Sequence, residues 1–131
     1  MSKLNLFFQE KAQTSARNDR IAARIKECLS MTLARGDFPV LPGHKDESKL
    51  KAFVTITHVN LSPDLRNATI FFSTLNEEDR QEALNFFNLQ EHFFKSILAK
   101  KLKLRFIPDL VFKLDETLNY YDKIDKILKK I

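Results

Sequence analysis

KSILAKKLKLRFIPDLVFKLD, residues 95–115, decides how the rest of the chain is read. Its first half carries Lys95, Lys100, Lys101, Lys103 and Arg105, and no acid stands between them before Asp109. Leucine and isoleucine fill the gaps, so the pattern is that of a basic helix. Pro108 is expected to stop that helix, because its ring removes a backbone donor and restricts Ile107 before it. Leu110–Leu114 is short, apolar and partly β-branched or aromatic, and reads as a strand. A basic helix therefore feeds directly into a sheet.

Upstream, Ser15–Arg35 reads as the first helix, with Ser15 or Asn18 as its cap. Ile21, Ile25, Cys28, Leu29 and Thr32 recur at helical spacing and share one face. Arg17, Arg20 and Arg24 form an arginine stripe beside it. Gly36 fits the left-handed position just past a helix end. Met1–Thr14 shows no clear period and is expected to be a tail. Residues 36–49 hold both glycines and two of the four prolines, and read as a mobile loop.

Lys51–Leu61 is a strand by its β-branched content. Val54 and Ile56 fall on one face, Val59 and Leu61 on the other, so a bulge is expected near His58. Ser62–Pro63–Asp64 has turn residues, and Asn67–Ser73 follows as a strand with Ala68, Ile70 and Phe72 on one side. The two strands make an antiparallel hairpin. Asn76 is read as the cap of the next helix, with Glu77, Glu78, Asp79 and Glu82 complementing its positive end. A single helix over Asn76–Lys103 would be long for this chain, so a break near Asn88–His92 is expected. Tyr121, Ile124, Leu128 and Ile131 give Asp115–Ile131 the pattern of an amphipathic helix, with Lys123, Lys126, Lys129 and Lys130 on its polar side. The order is α–β–β–α–α–β plus a C-terminal helix. An α+β fold follows, with a three-stranded sheet and helices on one face. Residues 15–117 form the domain; 1–14 and 118–131 are appended.

Composition narrows the chemistry. The chain has 131 residues, a net charge of +5 and 44% apolar residues, enough for one domain with a core. A mildly basic balance suggests an anionic partner only where the charge is clustered. One cysteine excludes an internal disulfide and a zinc cluster, and fits a reducing compartment. No apolar run approaches the roughly 20 residues of a membrane span. A cytoplasmic monomer is the expectation. His44, His58 and His92 lack metal-ligand spacing. Asp64, Asp109 and Asp115 hint at a nuclease, but no base and nucleophile pair at a readable spacing, and the aspartates have simpler duties in turns. Neither a catalytic site, a cofactor nor a small-molecule substrate is implied. The twelve phenylalanines include pairs at 71/72, 86/87 and 93/94, and most read as core.

Two stretches then become specific: VTITHVNLSPDLRNATIFFS at Val54–Ser73 and LAKKLKLRFIPDLVFKLDET at Leu98–Thr117. An SPDL turn between two strands, paired with an LR-x-x-P-x-L-x-F-x-x-D ending, resembles the ribosome-binding factor A family of bacterial small-subunit assembly factors. By element order the resemblance covers roughly Ala16–Leu128. It implies a type II KH-like fold. It implies binding to 16S rRNA and to the free or immature small ribosomal subunit. It further implies roles in late maturation, rRNA 5′-end processing and cold adaptation, without catalysis. The chain departs from the family where an Ala-x-Gly usually marks the kink between the last two helices. Gln90–Glu91–His92 stands there, so a kink has to form without the permissive glycine. The loop at 36–49 is also longer than is usual in the family. With only Gly36 and Gly43 in the chain, the GXXG clamp of many KH domains is absent.

The RNA-contacting residues expected on this reading are Arg17, Arg20, Arg24, Lys95, Lys100, Lys101, Lys103 and Arg105. A helical projection puts Lys95, Lys100 and Lys103 on one polar side, with Lys101 and Arg105 near the apolar side. The bland alternative is that cations at a helix end complement its dipole, and that the arginines pair with Glu27 along their own helix. A second functional reading is a protein-interaction module, docking through the Phe-rich tail and the C-terminal helix.

Overall fold

A computed structural model describes the backbone of residues 3–116 and the side chains of residues 16–116. Helix α1 spans Lys3–Arg35, strands β1 and β2 span Val54–Leu61 and Asn67–Thr74, and a 3-10 turn spans Glu77–Asp79. Helices α2 (Arg80–Leu89) and α3 (Glu91–Leu102) follow, then β3 (Asp109–Leu114). The C-terminal helix read over Asp115–Ile131 lies outside the described residues beyond Glu116.

The first helix corrects the reading of Met1–Thr14 as irregular. It is helical from Lys3, twelve positions before the expected start, so neither Ser15 nor Asn18 caps it. The segment lacks a hydrophobic period but also lacks Gly and Pro, and Gln, Glu, Lys and Ala are good helix formers. Asn18 instead donates from Nδ2 to the Ser62 carbonyl at 3.4 Å. At the other end Gly36 takes φ +70°. Its N–H reaches the Thr32 carbonyl at 3.3 Å and closes the helix as expected.

The hairpin forms as read, bulge included. Ile56 pairs with Phe72, and His58, two residues on, pairs with the adjacent Phe71. Thr57 is the extra residue. It flips the phase of β1, so Ile56, Val59 and Leu61 all reach the buried face despite their odd spacing. The turn closes with the Leu65 N–H on the Ser62 carbonyl at 2.9 Å and places Leu65 at φ +62°. The strand order is β1-β2-β3, with β1 antiparallel and β3 parallel to β2.

Ala68, Ile70, Phe72, Leu110 and Phe112 turn to the same face as the buried residues of β1. The helices cover that face: α1 packs on β1 and on α3, α2 on β3. Phenylalanine dominates the join. Phe87 lies 4.7 Å, centroid to centroid, from both Phe72 and Phe112, stacked on the latter. Of the three adjacent pairs, Phe72, Phe86, Phe87 and Phe94 are buried while Phe71 and Phe93 are half-buried.

Of three expectations about the helix ends, two change and one holds. Asn76 stands before the 3-10 turn but makes no side-chain capping bond, and α2 starts only at Arg80. The break near Asn88–His92 is real and falls at Gln90, at φ −96° and ψ 11°. That conformation is open to any residue, which is why no glycine is needed. Helix α3 stops at Leu102, well short of Pro108, because Lys103 adopts the left-handed conformation at φ 50°, ψ 37°.

The 36–49 loop, read as mobile, is tied down. Leu41 donates its N–H to Ser48 Oγ at 2.9 Å, and that hydroxyl donates to the His44 carbonyl at 2.6 Å. Gln90 Nε2 donates to the carbonyls of Pro39 at 2.9 Å and Ser48 at 3.0 Å. The helix junction thus holds the loop. Among the described residues, three helices over one face of a three-stranded mixed sheet make an α+β fold of KH-like type.

Candidate nucleic-acid interface

Along α1 two grooves, one against α3 and one against the hairpin turn and the segment after α3, form a seam that brings together some of the chain's scattered cations. Arg17, Arg20 and Arg24 are all exposed on α1. Arg24 and Arg35 share a small groove with Lys101 of α3. Arg17 shares a larger cleft with Arg105 and with Arg66 from the hairpin turn. Lys101 thus sits on the edge of α3 that faces α1, where the projection put it close to the apolar stripe. Lys100 and Lys103 are exposed, Lys103 at the point where the helix ends.

Lys95 is different. Its Nζ lies 2.8 Å from Asp109 Oδ1 at the start of β3, and its side chain is only 30% exposed. Its charge is matched inside the molecule, so it does not stand on one free polar side with Lys100 and Lys103. Among the described residues the ion pairs are this one, His44–Glu47 and Arg80–Glu77. The expected pairing of Arg20 or Arg24 with Glu27 is not among them, and none of the three engages a cation of the seam.

Cys28 faces the same groove as Arg24 and Lys101. Partial burial pushes its thiol pKa up, although Lys101 and Arg35 pull the other way. It stays a neutral thiol, half-buried on the face it shares with Ile25 and Leu29. Among the described residues no His, Cys, Asp and Glu cluster could hold a metal ion. The three aspartates of the nuclease reading all have structural work. Asp64 Oδ1 accepts from Ser62 Oγ at 2.6 Å and from the Arg66 N–H at 3.1 Å. Asp109 holds Lys95. Asp115 Oδ2 accepts from Thr57 Oγ1 at 2.6 Å, tying the end of β3 to the bulge in β1 across the width of the sheet.

Sequence reasoning missed Arg35, Arg66 and Phe106. Arg66 follows a turn motif and Phe106 sits in an apolar run, so neither carries a local signal. Phe106 is 75% exposed, with the Arg105 guanidinium carbon 5.6 Å from its ring centroid.

With this geometry in hand, similarity to known proteins becomes informative. The family model for ribosome-binding factor A matches residues 17–128. The chain belongs to the ribosome-binding factor A family. It is 37% identical over 116 residues to the ribosome-binding factor A of Geobacter metallireducens, covering 88% of this chain and 91% of that one. With the Brevibacillus brevis protein of the same name identity is 39%, covering 88% of each. A solution NMR structure from Thermotoga maritima, described as a candidate ribosome binding factor A, superposes with a TM-score of 0.59 at 29% identity. It covers 76% of this chain and 87% of that one. A homology model of the Thermus thermophilus ribosome binding factor A, as fitted into a cryo-EM map of a 30S complex, shares the fold with a TM-score of 0.52 at 22% identity. That match covers 72% of this chain and 90% of that one.

The family's SPDL and LR-x-x-P endings now have physical reasons. Ser62 and Asp64 build the turn, and the Asp109 N–H donates to the Arg66 carbonyl at 2.8 Å, joining the turn to β3. Pro108, buried, sets the entry to that strand. No helix among the described residues is long and apolar enough to cross a membrane.

Proposed function

We propose that this chain is a cytoplasmic, monomeric assembly factor that binds the immature small ribosomal subunit through its 16S rRNA, and assists late maturation and 5′-end processing without catalysis. Family membership supports the ribosomal setting. The observation that carries the mode of binding is the seam itself. Arg17 with Arg105, and Arg24 with Lys101, come from distant parts of the chain and line common grooves, outside every ion pair among the described residues. Cations gathered in this way suit phosphate oxygens, arginine by its bidentate fork and lysine as a point charge. The domain proposed to do this is 15–117.

On this reading the eight expected contacts divide. Arg17, Arg20, Arg24, Lys100, Lys101, Lys103 and Arg105 are free to meet RNA. Lys95 serves the fold through Asp109. The test is co-sedimentation with small subunits across a salt series. Replacing Lys100, Lys101 and Lys103 with alanine should weaken binding and reduce the salt slope by about 0.7 to 0.9 for each phosphate left without its cation. Lys95→Ala should leave that slope unchanged while lowering stability slightly. A folded triple variant with the slope of the parent protein would remove the end of α3 from the interface.

A further inference from the structure

Phe106 is the largest apolar side chain on the charged seam, and the core does not use it. It lines a cleft of about 670 Å³ whose walls are α1, the hairpin turn and the 103–108 segment. That size lies within the roughly 300–1,000 Å³ typical of pockets that hold small ligands. Arg17, Arg66 and Arg105 line the same cleft, and none of them is in an ion pair among the described residues. The cleft also contains Asp64 and Asp109. Both are engaged: Asp64 by Ser62 Oγ and the Arg66 amide, Asp109 by Lys95. The walls are joined to one another, since the Arg66 carbonyl receives the Asp109 N–H. A charged cleft of this kind could serve any polyanion. An exposed aromatic ring backed by a guanidinium serves one class better, a flat base that has left its stack.

We infer that this cleft takes an unstacked nucleotide of single-stranded RNA, with its base on the Phe106 ring and its phosphates on Arg17 and Arg66. Arg105, whose guanidinium carbon lies over the ring 5.6 Å from its centroid, backs that ring, and the base takes the ring's exposed surface. The assignment rests on the reading of the seam as an RNA surface and adds to it a selectivity. Duplex RNA keeps its bases inside and meets only the cations. A single-stranded stretch also meets the ring. A charge-only surface would discriminate far less between the two.

The test uses the full chain, a short labelled oligoadenylate and a labelled RNA duplex of the same length, with fluorescence anisotropy as the readout. Phe106→Ala should weaken oligoadenylate binding about 5- to 150-fold, the range for losing one stacked base. Duplex binding and the melting temperature should not change. Phe106→Tyr should restore oligoadenylate binding. The salt slope should be unaltered by Phe106→Ala and reduced by about 0.7 by Arg66→Ala. Unchanged oligoadenylate binding in Phe106→Ala overturns the inference. So does a loss shared equally with the duplex and with a charge-matched polyglutamate, which would mark a general anion site. If the wild-type protein ignores oligoadenylate yet sediments with small subunits in a salt-dependent way, the cleft is refuted and the wider reading stands. If it does neither, both fall.

Discussion

Helix α3 begins in the interior and ends in solvent, and its two ends treat polar groups in opposite ways. At the start, Gln90 is 1% exposed and its amide nitrogen holds two carbonyls of the 36–49 loop. Phe94, one turn on, is fully buried. At the finish, Lys100, Lys101, Lys103 and Arg105 are exposed and Phe106 stands in solvent. Burying a polar group without a partner is costly, and at the first end the fold supplies partners for the amide nitrogen, though for the oxygen beside it none is found among the described residues. The second end carries charges and a ring that the fold leaves uncompleted. The contrast separates residues that stabilise the molecule from those available to another one, although both sets lie within a single stretch.

The widest gap should appear between two phenylalanines. Phe87 is fully buried between Phe72 and Phe112, so Phe87→Ala should cost about 3–5 kcal/mol of unfolding free energy. Phe106→Ala removes the same atoms from a ring that is 75% exposed and should change stability by less than about 0.5 kcal/mol. Urea unfolding of both variants measures the difference. Comparable losses would mean that Phe106 belongs to the core and that the comparison of the two ends is wrong.

Gln90 offers the next largest effect. Its Nε2 satisfies the Pro39 and Ser48 carbonyls, while its Oε1 is buried without a hydrogen-bond partner among the described residues. Gln90→Ala would leave two acceptors without their donor and should cost about 1–3 kcal/mol. Amide exchange should speed up at Leu41 and Ser48, whose N–H groups close the loop. Affinity for small subunits should hold once the protein is folded, because this end faces inward. An affinity loss with stability intact would move the interface to the wrong end of the helix.

The sequence revealed those features that local chemistry dictates. The slip in alternation between Ile56 and Val59 demanded a bulge, and Thr57 supplies it. The length of Asn76–Lys103 demanded a break, and Gln90 supplies it without glycine. What escaped depends on partners far along the chain or on breaks with no composition signal. Lys103 ends α3 in a conformation that Gly or Asn would advertise and lysine does not. Pro108 drew attention as the helix stop, but its own place is the buried entry to β3. Lys95 looked like one more free cation because Asp109, fourteen residues away, is brought beside it only by the turn into the sheet. Arg17, Arg66 and Arg105 are separated by most of the domain, so their common cleft became legible only in three dimensions. The early helical start at Lys3 shows propensity forming a helix where no apolar period announces one.

The smallest predicted effect lies at the cleft and depends on pH. The Ser62 hydroxyl, and next the Arg66 amide, stabilise the Asp64 carboxylate and hold its pKa below the ordinary value. A group depressed in the folded state contributes stability above its unfolded pKa and loses it as pH falls through the folded one. Asp64 should therefore help the fold at neutral pH, start to lose that help as pH falls through about 4, and cease to help only below its depressed folded pKa. The carboxylate is fully exposed, so solvent screens the interaction and the contribution is small. Asp64→Asn keeps an acceptor for the turn and removes the charge. Its stability relative to the parent protein should fall slightly at neutral pH, and the gap should close on acidification. Its affinity for oligoadenylate at low salt should rise, because one negative charge leaves a cleft lined by Arg17, Arg66 and Arg105. Stability and binding would then move in opposite directions at one residue, the signature of a group that belongs to the fold but stands in the path of a polyanion. A gap that stays constant from neutral to acid pH would show that the turn does not use the charge, and a fall in affinity would place the RNA elsewhere.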